Sequence, residues 1–366
     1  MRKAAIIGCG MIANFAHIPA YRHLPGEFTI AGVCDVNEKS AADTAARHNI
    51  PYHTSDAKKL LEDTQPDIVS VCVPNKFHAQ YIRLALEAGA HVLCEKPLAL
   101  TKADAVELFA LAESKGLMLC ACQSMRFTPD RLEAKGLIEA GALGELYYGE
   151  FARIRRRGIP KWGAFHIESI SGGGAFVDIG VHMLDAVVWL TGNTKPVAVS
   201  GCKSARLAHS DKLATGLRDS GALTGQTLSQ RVYSDDEFNV EDFASGSVAF
   251  ENGMRINFKT AWAVNLPDET SIVLAGDLGG IRLPEFQVYS GFAGRQADIQ
   301  PKITAANPYP KEEFGGHFQL LDHVAAYLDG REELFVKPEE TIAVSAIIDM
   351  FYRSAKEGRE VTIDEL

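Results

Sequence analysis

No stretch of this 366-residue chain approaches the roughly 20 consecutive apolar residues needed to cross a bilayer. The residues after Met1-Arg2-Lys3 run into glycines too soon to form the apolar core of a secretory signal. A cytoplasmic protein with no membrane partner is expected. Basic residues are the minority: 37 Lys and Arg against 47 Asp and Glu leave a formal net charge of −10, which repels a phosphate backbone. The one basic cluster, Arg153, Arg155, Arg156 and Arg157, is short and local, so nucleic acid is not an expected partner. Cysteine and histidine never fall at zinc-ligand spacings. The seven cysteines are an odd count. Six of them (Cys9, Cys34, Cys72, Cys94, Cys120, Cys122) lie in or beside apolar runs, as buried thiols do. Cys120 and Cys122 would point to opposite faces of a strand, and no metal is expected. Long polar, Pro-rich or repeated tracts are also missing, which excludes extended disorder and a solenoid.

What is present is enough apolar material, 46% of residues, for real cores, over a length that favours two domains. Up to about residue 122, apolar runs at 4–7, 29–34, 68–73, 91–94 and 118–122 alternate with helical patterns. That alternation predicts an α/β doubly wound parallel sheet, whose strands are buried on both faces. A helix is expected at 129–140, then strand-like runs at 146–154, 197–202, 244–250, 254–263 and 271–275, with a hairpin turn at Asn252-Gly253. Helical patterns return at 317–328 and 339–356. The reading is a Rossmann-type domain over 1–123 and an α/β domain with an open, mainly antiparallel sheet over 124–366. Residues 203–241 are polar and weakly periodic and read as a long excursion.

Two sets of residues carry chemistry. Gly8-Cys9-Gly10-Met11-Ile12-Ala13 follows the first strand and opens a helix, as a G-x-G-x-x-A nucleotide loop requires. Asp35 ends the second strand, where a carboxylate accepts from the adenosine ribose and repels a 2′-phosphate, so NAD is expected rather than NADP. Val73-Pro74-Asn75 and His78 follow a strand at the same carboxyl edge and are expected to line the cofactor, together with Glu95 and Lys96 of Glu95-Lys96-Pro97. A lysine there can polarise a carbonyl or stabilise an alkoxide. The second set is Gly172-Gly173-Gly174, expected to admit a ring close to the backbone, followed by an apolar helix on which Asp178, His182 and Asp185 share a face. Lys96, Asp178 and His182 are the candidate catalytic residues. Arg156 and Trp162, with Asp178 and His182, are expected on the substrate side.

Over nearly its full length the chain resembles the glucose-fructose oxidoreductase, inositol dehydrogenase and MocA (Gfo/Idh/MocA) family. The resemblance rests on the Gly8–Ala13 loop, Glu95-Lys96-Pro97, Arg126-Phe127 and the glycine-rich segment to Asp185. It implies a Rossmann domain, a second domain with an open antiparallel sheet, and a Lys-Asp-His site between them acting on a sugar, glycoside or polyol. The stretch 155–165 and Val240-Glu241-Asp242-Phe243 look like members that oxidise glucosides at C3, whereas 166–171 departs from the usual pattern. Inositol oxidation, redox-neutral glycoside cleavage and a non-catalytic NAD-sensing regulator stay open as alternatives. An open sheet face suggests a homodimer or homotetramer.

Overall fold

The short apolar runs of the first third become strands because their side chains are buried on both sides. They are β1 (Arg2–Ile7), β2 (Phe28–Cys34), β3 (His53–Thr54), β4 (Ile68–Val71), β5 (His91–Cys94) and β6 (Leu119–Ala121). The computed structural model describes residues 1–210, 216–222, 225–229, 231–309 and 311–366. All six strands are parallel, in the order β3-β2-β1-β4-β5-β6. The order reverses between β1 and β4, so their carboxyl ends open a crevice there. The crossovers are α1 (Ile18–His23), entered through a π-helical turn at Ala13–His17, then α2 (Glu38–Arg47), α3 (Ala57–Thr64), α4 (His78–Glu87) and α5 (Lys102–Ser114).

After α6 (Pro129–Glu139) comes a nine-stranded sheet: β7 (Leu146–Ile154), β8 (Pro196–Ser204), β9 (Phe243–Phe250), β10 (Arg255–Ala261), β11 (Glu269–Gly276), β12 (Gly279–Leu283), β13 (Gln287–Phe292), β14 (Arg295–Ile299) and β15 (Val361–Thr362). Every pairing is antiparallel except β7 with β10 at the centre. Gly253, at a φ of +85°, turns β9 into β10 as the Asn-Gly pair requires. One face is covered by α8 (Val181–Thr191) and α10 (Pro338–Glu357), through Phe176, Leu184, Phe258 and Phe351. The other face alternates outward, with exposed Glu150, Arg255, Asn257 and Lys259.

Two features depart from the expectations. The helical stretch Glu168–Thr191, which contains the short α7 (Glu168–Ser171), is long and apolar enough to span a bilayer by length and composition, but it is buried as a core helix. And α9 (Gly315–Leu328), placed by sequence with the second unit, packs Phe318, Leu321 and Val324 into the core around β4, β5 and β6. Of the excursion 203–241, residues 211–215, 223, 224 and 230 lie outside the described residues. Its ends are tied down by a small core of Ile159, Phe238, Val240 and Trp262.

Candidate active site

A cleft of about 960 Å³ runs from the β1 turn across the boundary between the two sheets. At its nucleotide end, Gly8 has a φ of +99°, and a Cβ there would stand 2.5 Å from the Cys72 carbonyl oxygen, so glycine is obligatory. A Cβ on Gly10 meets no protein atom within 4 Å, which leaves the cleft open beside the backbone. Met11 and Ile12 line the same end, and Ala13 is fully buried against the sheet. Asp35 Oδ2 accepts the Cys9 N–H at 2.9 Å and Oδ1 the Asn37 N–H at 2.9 Å, locking the carboxylate at the cleft edge. Val36 is exposed and Asn37 caps α2, and among the described residues Asp35 is followed on the cleft lining by Val36, Asn37 and Ser40, none of them a cation to meet a 2′-phosphate. These residues fit an adenine dinucleotide without that phosphate.

Val73, Pro74 and Asn75 line the middle of the cleft, and Asn75 Nδ2 donates to the Ser171 carbonyl at 2.9 Å. Glu95 is held from three sides. Its Oε1 accepts from His17 Nε2 at 3.0 Å and His317 Nε2 at 3.2 Å, and Oε2 from the Lys96 N–H at 3.2 Å. Burial alone would raise the Glu95 pKa, but the bonds from the two imidazoles outweigh it and hold the carboxyl well below its ordinary value. Burial pushes His17 down despite Glu95, so the ring is neutral; its Nδ1 contacts Ser70 Oγ, which in turn contacts Tyr21 OH. The Cys122 thiol lies beside this group.

Lys96 and the second domain meet here. Lys96 Nζ donates to the Asp178 carbonyl oxygen at 2.8 Å and lies 3.5 Å from Asp178 Oδ1. Trp262 Nε1 donates to Asp178 Oδ2 at 2.9 Å, fixing the carboxylate. His182 lines the cleft four residues on, and its buried Nδ1 has no partner among the described residues. Burial first, then the Lys96 charge, pushes the His182 pKa well below the ordinary histidine value, so the ring is a neutral acceptor at pH 7. Asp178 sits in a π-helical turn, Phe176–Gly180, that runs into α8. Such turns re-aim side chains and recur at functional sites.

Several expected positions are corrected. His78 does not line the cleft; it is fully buried, with Nδ1 2.7 Å from the Pro97 carbonyl and Nε2 2.9 Å from the Val73 carbonyl. Burial keeps that ring neutral, so it donates to one carbonyl and props the two turns apart. Arg156 is exposed outside the cleft, with its N–H on Asp268; Arg153 and Arg155, of opposite strand parity, face inward instead. Asp185 does not join Asp178 and His182. It turns to the core, where Arg126 Nε and Nη2 bind its carboxylate at 2.8 and 2.5 Å. Nor do the three glycines line the cleft; they face protein: a Cβ on Gly172 would stand 2.2 Å from Leu100, one on Gly173 2.0 Å from Tyr352 OH, and one on Gly174 2.0 Å from the Glu241 carbonyl oxygen. Glu241 Oε1 accepts from Phe176 N at 3.0 Å and Tyr352 OH at 2.8 Å, so 240–243 clamps the helix start rather than the substrate.

Trp162 does stand in the cleft wall, its Nε1 donating to Ser220 Oγ at 3.0 Å, and Ser220 and Ser229 of the excursion roof that end. Sequence reasoning placed the arginines near Trp162 on the substrate side but singled out Arg156 rather than Arg153 and Arg155, and it missed His317 and Trp262. Strand parity would have found the two arginines, whereas His317 and Trp262 give no local signal.

Comparison with known proteins agrees with this geometry. The family described as "Oxidoreductase family, NAD-binding Rossmann fold" matches residues 2–122, and the GFO/IDH/MocA C-terminal domain matches residues 132–282. The chain is 28% identical to D-glucoside 3-dehydrogenase of Escherichia coli over 99% of this chain and 97% of that protein. Among solved structures it is similar to aldose-aldose oxidoreductase from Caulobacter crescentus complexed with glycerol, at 26% identity and a TM-score of 0.74 over 99% of both chains. It shares its fold with levoglucosan dehydrogenase solved with NADH and levoglucosan, at 23% identity and a TM-score of 0.79 over 99% of both chains.

Proposed function

This chain belongs to the Gfo/Idh/MocA family of NAD-binding oxidoreductases, and from that premise we propose that it interconverts a secondary alcohol of a sugar, glycoside or polyol and the corresponding ketone. NAD, when bound, supplies the acceptor for the hydride leaving the carbinol carbon. The neutral His182 imidazole takes the hydroxyl proton as that bond weakens. Lys96 Nζ, tethered to the Asp178 carbonyl, stabilises the negative charge developing on the same oxygen. Asp178, pinned by the Trp262 N–H, keeps the lysine aimed rather than holding the histidine. In the reverse direction the same groups return the proton to the reduced ketone.

The observation that carries this reading is that Lys96, from the first sheet, touches Asp178 one turn before His182, which lines the same cleft and whose buried Nδ1 has no partner among the described residues. Likeness to D-glucoside 3-dehydrogenase, and the Trp162 side chain in the cleft wall, support a glucoside oxidised at C3 as the substrate. A cytoplasmic homodimer or homotetramer, with the outer face of the nine-stranded sheet covered by a second copy, completes the proposal.

The test is NAD reduction by methyl glucosides, free hexoses and inositols, repeated with Lys96→Ala and His182→Ala. Turnover of a glycoside, abolished in both variants while NADH still binds, supports the assignment; activity surviving both substitutions refutes it. Tight NAD binding with no turnover across the panel brings the regulator reading forward.

A further inference from the structure

Arg126 shows how this chain treats a buried guanidinium when the charge is structural. It is fully buried, bidentate to Asp185, and 2.5 Å from Glu340 Oε2. Burial opposes its charge, yet the two carboxylates outweigh burial and raise its pKa. Arg153 and Arg155, in the wall of the cleft, are treated differently. Neither is within ion-pairing distance of a carboxylate among the described residues; Glu269, beside Arg153's strand partner Thr270, is paired with Lys259 instead. Arg153 gives one bond, to Thr270 Oγ1 at 2.5 Å, and Arg155 one long one, to the Gly158 carbonyl at 3.5 Å. Each guanidinium has five N–H groups, so most of them are unspent.

The surroundings sharpen the imbalance. Burial, then mutual repulsion and the nearby Arg131, bring Arg153 down to about 10, and burial also lowers Arg155. Both stay charged at neutral pH. Lys96 adds a fourth cation, against Asp178 and the more distant Asp219; of the other carboxylates on the cleft lining besides Asp35 at the nucleotide end, Glu95 is taken up by His17 and His317 and Glu313 by Arg218, which leaves Glu312. An acidic chain, at −10 overall, thus gathers positive charge at the sugar end of one cleft. The cofactor's pyrophosphate does not account for it, because the glycine loop at the far end provides for that group with a helix N-terminus. Both arginines are half-buried in the cleft wall, and cations drawn together there without a carboxylate partner are stabilised by a ligand that neutralises them.

We propose that the sugar substrate carries an acidic substituent, a carboxylate or a phosphate, which Arg153 and Arg155 bind while the oxidisable carbon faces Lys96 and His182. This rests on the dehydrogenase reading and narrows its substrate class to anionic sugars. Guanidinium forks match both oxyanions through paired N–H bonds, so the two sources share one chemistry.

The experiment compares kcat/KM with NAD+ for matched methyl hexosides: neutral, with a C6 carboxylate, and with a C6 phosphate, each at low and high ionic strength. One acidic substrate is expected to exceed the neutral one by about tenfold or more, with the advantage shrinking in salt. Arg153→Gln and Arg155→Gln are expected to raise KM for the acid about 10- to 100-fold and to collapse the acid-to-neutral ratio. A neutral hexoside that matches or beats both acids, with the variants slowing all substrates alike, overturns the proposal: the arginines then donate only to neutral hydroxyls. Whichever acid wins identifies the source. If no sugar is oxidised, the dehydrogenase reading fails, and a second readout still decides this one. The Tm of the enzyme–NADH complex should rise with hexuronates or hexose phosphates, not with neutral hexoses, and the rise should vanish in the arginine variants. No anion-specific rise in the wild-type complex overturns it.

Discussion

Glu95 and His182 border the same cleft, yet the protein completes one and leaves the other open. The Glu95 carboxylate takes bonds from two imidazoles and a backbone N–H, whereas the His182 Nδ1 is buried with nothing to bond. The same contrast separates Arg126, saturated by Asp185 and Glu340, from Arg153 and Arg155. Burying a polar group costs stability unless it is paired. In this cleft, then, the saturated groups are scaffolding and the groups left wanting are where a ligand completes the structure; lack of a partner alone is not enough, since Glu241 Oε2 and Thr260 Oγ1 are also unpaired away from the cleft, among the described residues.

That distinction can be broken by experiment. The largest effect is expected at an open group: His182→Ala should lower kcat by about 10²- to 10⁴-fold while the NADH affinity, read by fluorescence titration, holds. A comparable kcat loss from His17→Ala would erase the contrast. On the scaffolding side, Arg126→Leu strands two buried carboxylates and should cost about 3–5 kcal/mol in urea unfolding. Arg155→Gln strands no ion pair and should stay within about 1 kcal/mol in the same assay.

Acid comes next. His17 and His78 are buried and His182 is half-buried at the cleft, and desolvation lowers all three pKa values from 6.5. The unfolded chain therefore binds protons that the folded one refuses. Stability is retained above pH 6.5 and lost below it, at up to about 1.4 kcal/mol per pH unit for each such ring. Glu95 acts in the same direction at lower pH: its carboxyl is held below the ordinary carboxylate range, so its contribution is full at neutral pH and fades as pH falls through and below that range. For catalysis the same shift predicts that kcat/KM in the oxidation direction stays level as pH drops through 6.5, because the His182 base remains unprotonated. A profile that breaks at 6.5 would place the base elsewhere. The smallest effect is expected from Glu95→Gln. It keeps the shape but weakens the bonds from His17 and His317, and should lower kcat/KM about tenfold with little change in Tm.

Much of this was legible in the chain because it is local. A strand, two glycines and a small residue specify the nucleotide loop, and Asp35 and Lys96 each end a strand whose apolar run is plain. What escaped is what depends on parity or on distance. Reading the arginine cluster as a patch picked Arg156, whereas the alternation of β7 sends its neighbours inward. Helical spacing put Asp185 with His182, because nothing near it in sequence announces that Arg126, 59 residues earlier, claims that carboxylate. Strands β12, β13 and β14 were overlooked because Gly279, Gly280, Gly291 and Gly294 blur their apolar alternation. His17 and His317 are 300 positions apart in the numbering, and only the fold brings them to one carboxylate.

That last meeting bears on how the enzyme is made. The helix bearing His317 fills part of the first core with Phe318, Leu321 and Val324. A nascent chain emerging from the ribosome thus presents its glycine loop long before the element that seats Glu95. The dinucleotide cradle is begun well ahead of its completion, and a product stopped before α9 would leave the first core incomplete, however complete its glycine fingerprint.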